Sequence, residues 1–366
     1  MFLIQSGTQP RRPSIRRGRD IIVRAAALVA LLAAPRLARA CDLCAIYITT
    51  EEREEQPGFR LGVAEQYTYF ATLKDNSQTV PNPYGERLRS SITQILAGYN
   101  FHPRVGVQIN FPIIYRTYRR VLQSGVVDGD ATGIGDMSVI ANVKALSWFD
   151  TQRVAHLVLF GGLKFPTGDP AFLSEEVPTA PCIPFPDPNM CSPKIARYRT
   201  PITVRPHHST GPPSGIGGHD LTLGTGSVDG IVGAQAFGAW RRVFATAAIQ
   251  YVARTVGAFD YQFANDLLFE SGPGAYLLLG DDWLGAPYAF GAQVLFSGET
   301  KGTDSVEGQT VTDTGLTALY LGPAFRFTWG THLAAEIAAD LPVLQHDTGL
   351  QIVPDYRLRG GITWRF

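Results

Sequence analysis

The chain has 366 residues, 32 basic and 32 acidic side chains, and four cysteines. Hydrophobic residues make up 45% of it, yet no apolar run approaches the roughly eighteen residues of a membrane-spanning helix, so a helical membrane protein is excluded. A β-barrel is not excluded, because a barrel strand needs only one apolar face, about ten residues long, alternating with a polar one.

The first forty residues read as an export signal. Five arginines (Arg11, Arg12, Arg16, Arg17, Arg19) precede the apolar run AAALVALLAA, and PRLARA then places Ala38 and Ala40 in the small-x-small pattern of a signal peptidase site. Cleavage after Ala40 removes eight arginines and one aspartate, leaving 326 residues with 24 basic and 31 acidic side chains. A net charge near −7 argues against a nucleic-acid partner. Cys41 and Cys44 follow in RACDLCAIY. Ala45 stands where haem attachment needs His, zinc would need two further ligands, and Ala38 and Arg39 do not fit a lipobox. The remaining reading is a redox pair in a periplasmic segment over 41–57.

From residue 58 onward the period is two. In RVGVQINFPIIYR (104–116), Val105, Val107, Ile109, Phe111, Ile113 and Tyr115 share one face, opposite Gln108, Asn110 and Arg116. The last ten residues, RLRGGITWRF, alternate likewise and put Arg357, Arg359 and Arg365 on one face, which a water-filled lumen accommodates and an apolar soluble core does not. The same grammar predicts strands near 58–72, 87–101, 103–119, 133–148, 153–167, 223–239, 241–256, 262–279, 286–300, 311–328, 331–345 and 352–366. Twelve is an even number, as a closed antiparallel bacterial barrel requires. Short connections (NFHPR, SWFDTQR, GAWRR, GDDWLGAP, TWGTH) alternate with longer ones, and Trp148, Trp240, Trp283 and Trp329 sit in or beside the short set. The fold class is therefore all-β, a transmembrane antiparallel barrel of about twelve strands over 58–366, with short turns and an aromatic girdle on the periplasmic side.

The longest connection, 168–222, is expected outside the cell. It contains PCIPFPDPNMC, where Cys182 and Cys191 are expected to form a loop-closing disulfide in an oxidising compartment. Its histidines, His207, His208 and His219, fit a flexible polar loop better than a metal site, so no metal and no cofactor are expected. Ser209 beside His208 is the nearest approach to a nucleophile and base, and no G-x-S-x-G, H-E-x-x-H or P-loop is present, so no enzyme activity is expected.

The inward faces supply the candidate lumen residues: Gln108, Asn110, Arg116, Asp136, Ser138, Asn142, Lys144, His156, Lys164, Ser227, Asp229, Gln235, Gln250, Arg254, Arg357 and Arg359. Both signs of charge occur, so no strong ion selectivity follows. Whether these groups line an open path or plug a narrow barrel through hydrogen-bonded pairs stays open at this level.

Particular runs resemble a known family. TGIGDMSVIANVKAL (132–146), GGLKFPTGD (161–169) and LGTGSVDGIVG (223–233), in that order and spacing, resemble the outer-membrane transporter family associated with the meta-pathway of phenol degradation. LYLGPAFRF (319–327), AEIAADLPVL (335–344) and YRLRGGITWRF (356–366) are similar to its last three strands, and the resemblance covers roughly 90–366. The proline-rich loop and the CDLC start depart from it. The resemblance implies a bacterial outer-membrane channel for passive uptake of small, hydrophobic or aromatic molecules, with no catalytic residue to carry over. Its partners would be outer-membrane lipid, a small-molecule solute, and the barrel-assembly machinery through the C-terminal Phe366. The alternative is a non-conducting barrel that docks a partner or serves electron transfer.

Overall fold

A computed structural model describes residues 57–122, 124–177 and 214–366. Thirteen strands fill twelve positions of one closed antiparallel barrel: β1 (Gly58–Asp75), β2 (Arg87–His102), β3 (Val105–Leu122), β4 (Gly125–Ile134), β5 (Ser138–Phe149), β6 (Arg153–Lys164), β7 (Asp229–Trp240), β8 (Val243–Ala253), β9 (Asp266–Trp283), β10 (Ala286–Lys301), β11 (Leu316–Trp329), β12 (Leu333–Asp347) and β13 (Leu350–Arg365). Each position pairs with its neighbours in chain order; β4 and β5 share one position, both pairing with β3, β4 over Ile113–Leu122 and β5 over Val105–Asn110. Closure comes from β1 on β13, with Arg60 opposite Arg365, Glu65 opposite Gly360 and Asp75 opposite Leu350.

The alternation in the sequence is the alternation in the wall. On β3 Gly106, Gln108, Asn110, Ile114 and Arg116 point inward and are buried, while Val105, Ile109, Ile113 and Tyr115 are exposed on the outer surface. The same outer band carries Ile337 at 61%, Val232 at 57% and Val294 at 57% exposure. Such exposure of branched aliphatics around a whole barrel marks a surface solvated by hydrocarbon rather than water. At the rim of short turns the band ends in aromatics: Trp329 lies 5.9 Å from Trp364, and Trp283 5.8 Å from Phe327. There β9 and β10 join through Leu284 and Gly285, whose φ angles of 54° and 82° make the primed turn that matches strand twist.

Three expectations from the sequence need correction. Residues 125–132 are not a loop; they form β4, paired with β3 from Leu122 opposite Gly125 to Ile113 opposite Ile134. The strand expected over 133–148 is broken at 135–137, where three residues face two on β3 before pairing resumes with Asn110 opposite Ser138. The cause is Pro112: its carbonyl accepts from the Gly135 N–H at 2.9 Å, but it has no N–H to return, so the ladder cannot run through. Finally, strands expected from 223, 262 and 311 start later, at Asp229, Asp266 and Leu316, because the preceding residues turn into the barrel mouth. The export signal over 1–40, Cys41, Cys44, Cys182, Cys191, His207, His208 and Ser209 lie outside the described residues.

The outer band predicts a depth-dependent penalty for charge. Ile337 pairs with Gly360, which in turn pairs with Glu65, near mid-band. Ile337→Arg should cost about 2–4 kcal/mol in urea unfolding from liposomes, a penalty that a water-facing surface would not impose.

Candidate functional site

The three glycine-rich runs converge on one point inside the barrel. Asp136 comes from the break between β4 and β5, Lys164 ends β6, and Thr225, Ser227 and Asp229 lead into β7. Lys164 Nζ lies 2.6 Å from Asp136 Oδ2 and 2.8 Å from Asp229 Oδ2, and donates to Thr225 Oγ1 at 2.7 Å. Asp136 also accepts from the N–H groups of Gly168 (3.0 Å) and Thr225 (2.9 Å). Arg254 continues the chain of charges, 2.8 Å from Asp229 and 2.7 Å from Asp266. The glycines are there for close approach: a Cβ at Gly168 would strike the Leu223 carbonyl, and one at Gly224 would strike Gly168. Two cations and three carboxylates share this knot, all shielded from water, so each charge depends on its neighbours for compensation.

Beside the knot is a cavity of ≈ 40 Å³, lined by the apolar Ile92, Ile114, Leu223 and Val252 and by the polar Gln94, Asn110, Asp136 and Lys164. One water needs about 10–15 Å³ by this measure, so the space suits a few waters and no solute larger than that.

Above the knot the mouth is apolar and covered. The described parts of the long connection, 165–177 and 214–228, fold into the barrel mouth and pack against its wall. A 3-10 helix (Ala171–Glu176) and one helical turn, α1 (Gly218–Leu221), form the cover. Ile216 and Leu221 pack on Phe70, Leu88 and Ile352, Leu223 packs on Ile92, Ile114 and Ala131, and Phe172 touches both groups. Leu173 meets Tyr261, Phe263, Val306 and Val311 from the connections after β8 and β10. Polar bonds fix the edges. Arg120 holds Glu175 through two bonds of 2.7 and 3.0 Å, Glu86 accepts from Ser214 Oγ (2.5 Å) and the Gly215 N–H (3.1 Å), and Arg116 donates to the Thr222 carbonyl at 2.6 Å.

His219 ties the two halves of the cover together, and is buried rather than part of a flexible polar loop. Its Nδ1 lies 2.9 Å from Glu176 Oε1, which also accepts the His219 backbone N–H at 2.9 Å, and its Nε2 lies 3.4 Å from Asp220. Burial alone would lower its pKa, but the carboxylates of Asp220 and Glu176 outweigh that and raise it to about 10.

The remaining candidates also sit on the inner face. Gln108 donates to Asn110 at 2.6 Å and accepts from Arg60 at 3.3 Å; Lys144 and Gln250 are buried, Asn142 is half-buried, and His156 stacks on Phe237 at 5.2 Å. Across the lumen Arg357 lies 2.9 Å from Glu299, and Arg359 lies 2.9 Å from both Glu270 and Asp340. Thus Asp136, Lys164, Asp229 and Arg254 come together, Arg116 joins the cover, and Arg357 and Arg359 belong to the opposite wall. The reading of the sequence missed Glu270, Glu299, Asp340 and the pair Arg326–Glu336 (2.6 Å), although alternation from Gln293 and Leu295 onward puts Glu299 on the inner face. It also missed Arg120, Glu86 and Glu176, which no periodic signal marks as cover-binding.

No protein-family model matches the chain, and no curated protein sequence matches it. Among solved structures it is similar to an outer-membrane channel from Pseudomonas putida F1, at a TM-score of 0.51 and 11% identity, covering 88% of this chain and 100% of that one. It overlaps less well with the β domain of the Bordetella autotransporter Brka (TM-score 0.37, 10% identity, 85% and 100% covered) and with the translocator domain of the autotransporter NalP from Neisseria meningitidis (TM-score 0.35, 10% identity, 96% and 97% covered). At these identities the likeness is one of fold. A twelve-position barrel of outer-membrane type with a continuous apolar band places the chain in the bacterial outer membrane.

Two outcomes follow from this geometry. Lys164→Met strands Asp136 and leaves Asp229 to Arg254, and should cost about 3–5 kcal/mol in urea unfolding, with part recovered in the double variant carrying Asp136→Asn. The His219 clamp gains from a raised pKa, so its contribution is complete below about 6.5 and is lost as pH climbs through about 10. An environment-sensitive fluorescent residue at the exposed Ser174 should report loosening of the cover between those values, and His219→Gln should flatten that profile.

Proposed function

We propose that the barrel is an outer-membrane channel for passive uptake of small apolar molecules, aromatic ones included, with the inward-folded cover as its gate. The observation that carries this reading is the apolar mouth. Phe70, Leu88, Ile92, Ile114 and Ile352 project from strands fixed in the wall, whereas Phe172, Ile216, Leu221 and Leu223 project from segments outside the barrel ladder. An apolar solute can replace those cover side chains against the wall with little net change in buried apolar surface, which a hydrated ion cannot do. Further down, His156, Phe237, Phe244 and Tyr276 form a row of rings across β6 to β9, with successive centroids 5.2, 6.1 and 4.9 Å apart. That row continues an apolar track toward the periplasmic rim. The fold shared with an outer-membrane channel is compatible with conduction, and the substrate class rests on the apolar mouth and on the motifs that resemble the phenol meta-pathway transporters. Transport would follow the gradient, with no cofactor and no covalent step.

C-terminal Phe366 donates its backbone N–H to the Phe59 carbonyl at 2.9 Å, closing the seam, and in this reading also presents the barrel to the assembly machinery. A second reading, a non-conducting barrel that docks a partner or serves electron transfer, draws on the ion-paired lumen and the ≈ 40 Å³ cavity.

Reconstitution separates the two. Wild-type protein in planar bilayers should show little steady ion current, liposomes containing it should take up a small aromatic solute faster than empty ones, and Arg120→Ala with His219→Ala should add discrete openings. Absence of both uptake and openings in the loosened variant would favour the non-conducting barrel.

A further inference from the structure

The outer surface of β1 carries a carboxylate where lipid should be. Phe59, Leu61, Val63, Glu65, Tyr67 and Tyr69 alternate outward along this strand, and Glu65 stands six residues above Phe59. At about 3.3 Å per residue and a tilt near 40°, that is roughly 15 Å into a band about 25 Å tall. Glu65 Oε1 accepts from Ser91 Oγ at 2.5 Å and Oε2 from Thr93 Oγ1 at 2.5 Å, both on β2. Those bonds use half of the carboxylate's acceptor capacity and none of its charge is cancelled, since no ion pair reaches Glu65 among the described residues. Hydrocarbon offers nothing for the remainder, and an ionisable group held in the membrane marks a site with a partner.

The same face holds an unmatched cation. Arg89 on β2 is outward-facing and exposed; it lies over the Tyr69 ring at 5.9 Å and has no carboxylate within ion-pair range among the described residues. Its long stem lets the guanidinium reach down from the interface. On the other side of Glu65 the paired residue is Gly360, which presents no side chain and leaves room for another barrel to approach.

We propose that the outer face of β13, β1 and β2 is the interface between two copies of this chain, related by a two-fold axis along the membrane normal, with Glu65 of each copy answered by Arg89 of the other. A two-fold interface must be self-complementary, and such an axis preserves depth, so Arg89, which lies opposite Tyr69 and about 10 Å above the level of Glu65, meets the other copy's Glu65 by extending its stem down the wall. A patch that carries an unpaired acid and an unpaired base on adjacent strands meets that condition; a lipid tail meets neither charge. The proposal rests on the placement of the barrel in the membrane and not on what the lumen conducts.

The test is photo-crosslinking in intact outer membranes of cells making the full-length protein, with a photoreactive residue at the outward Ile95. Irradiation should give a band at twice the chain's mass whose peptides all come from this chain. Glu65→Arg and Arg89→Glu should each abolish that band, and the double variant, with the charges exchanged, should restore it. A heat-modifiable band on unboiled gels shows in each case that the barrel has folded. Adducts only to lipid or to a different protein, a dimer band that survives either single reversal, or no recovery in the folded double variant would overturn the proposal.

Discussion

Everything in this molecule follows from closing a short-circumference sheet in hydrocarbon. Lipid cannot hydrogen-bond a free strand edge, so β1 must find β13, and the ladder from Arg60–Arg365 to Asp75–Leu350 removes the last open edge. Closure at twelve positions leaves an interior narrow enough for side chains from opposite walls to interact. The period of two then forces every second residue into that interior, and in this chain many of them are charged. The lumen is therefore filled by pairs such as Lys164 with Asp136 and Asp229, and Arg359 with Glu270 and Asp340. Their charges hold each other in place, because removing one leaves its partner buried without compensation.

Most of the wall was legible in the sequence, because the strands that cross hydrocarbon need an unbroken apolar face. In β3, Val105 to Tyr115 alternate without exception, and the structure pairs them in the register that alternation demands. Legibility fails where the strand leaves the membrane. GVVDGDATGI (β4) projects Asp128, Asp130 and Thr132 outward above the apolar band, where water replaces lipid, so the pattern vanishes although the ladder to β3 continues. The break after Ile134 has a local cause in Pro112, but that proline lies on a different strand. Only the pairing reveals whose hydrogen bond is missing.

The site divides in the same way. Asp136, Lys164 and Asp229 were visible because each sits in a glycine-rich run, and those glycines are demanded by the backbone approach at Gly168 and Gly224 that brings the three together. Glu299 and Asp340 were not identified, since each stands among apolar and small neighbours with no glycine-rich run to mark it, and its arginine lies on another strand. The cover was the least legible part. Ile216, Leu221 and Leu223 occur in a glycine-rich stretch with neither helical nor strand period, and only the apolar mouth they meet gives them a place.

The lumen thus contains two kinds of obstruction with different mechanics. The charged pairs across the lower barrel belong to strands whose backbones are committed to the ladder on both sides, so they can shift by rotamer but not by displacement. The cover continues the chain from Lys164 to Asp229 without strand pairing of its own, and is held by apolar packing, by hydrogen bonds such as Ile352 N–H to the Gly215 carbonyl and Arg116 to the Thr222 carbonyl, and by ion pairs at its edge, of which Arg120–Glu175 has an exposed carboxylate. An exposed partner weakens that bond by screening, while the buried His219–Glu176 contact joins the two halves of the cover. In the gated reading proposed above, motion would be confined to this mouth, and the surface it uncovers would be the apolar ring of Phe70, Leu88, Ile92, Ile114 and Ile352. Selection for apolar solutes would then reside at the gate itself, ahead of the charged section, which needs only to part by side-chain rotation.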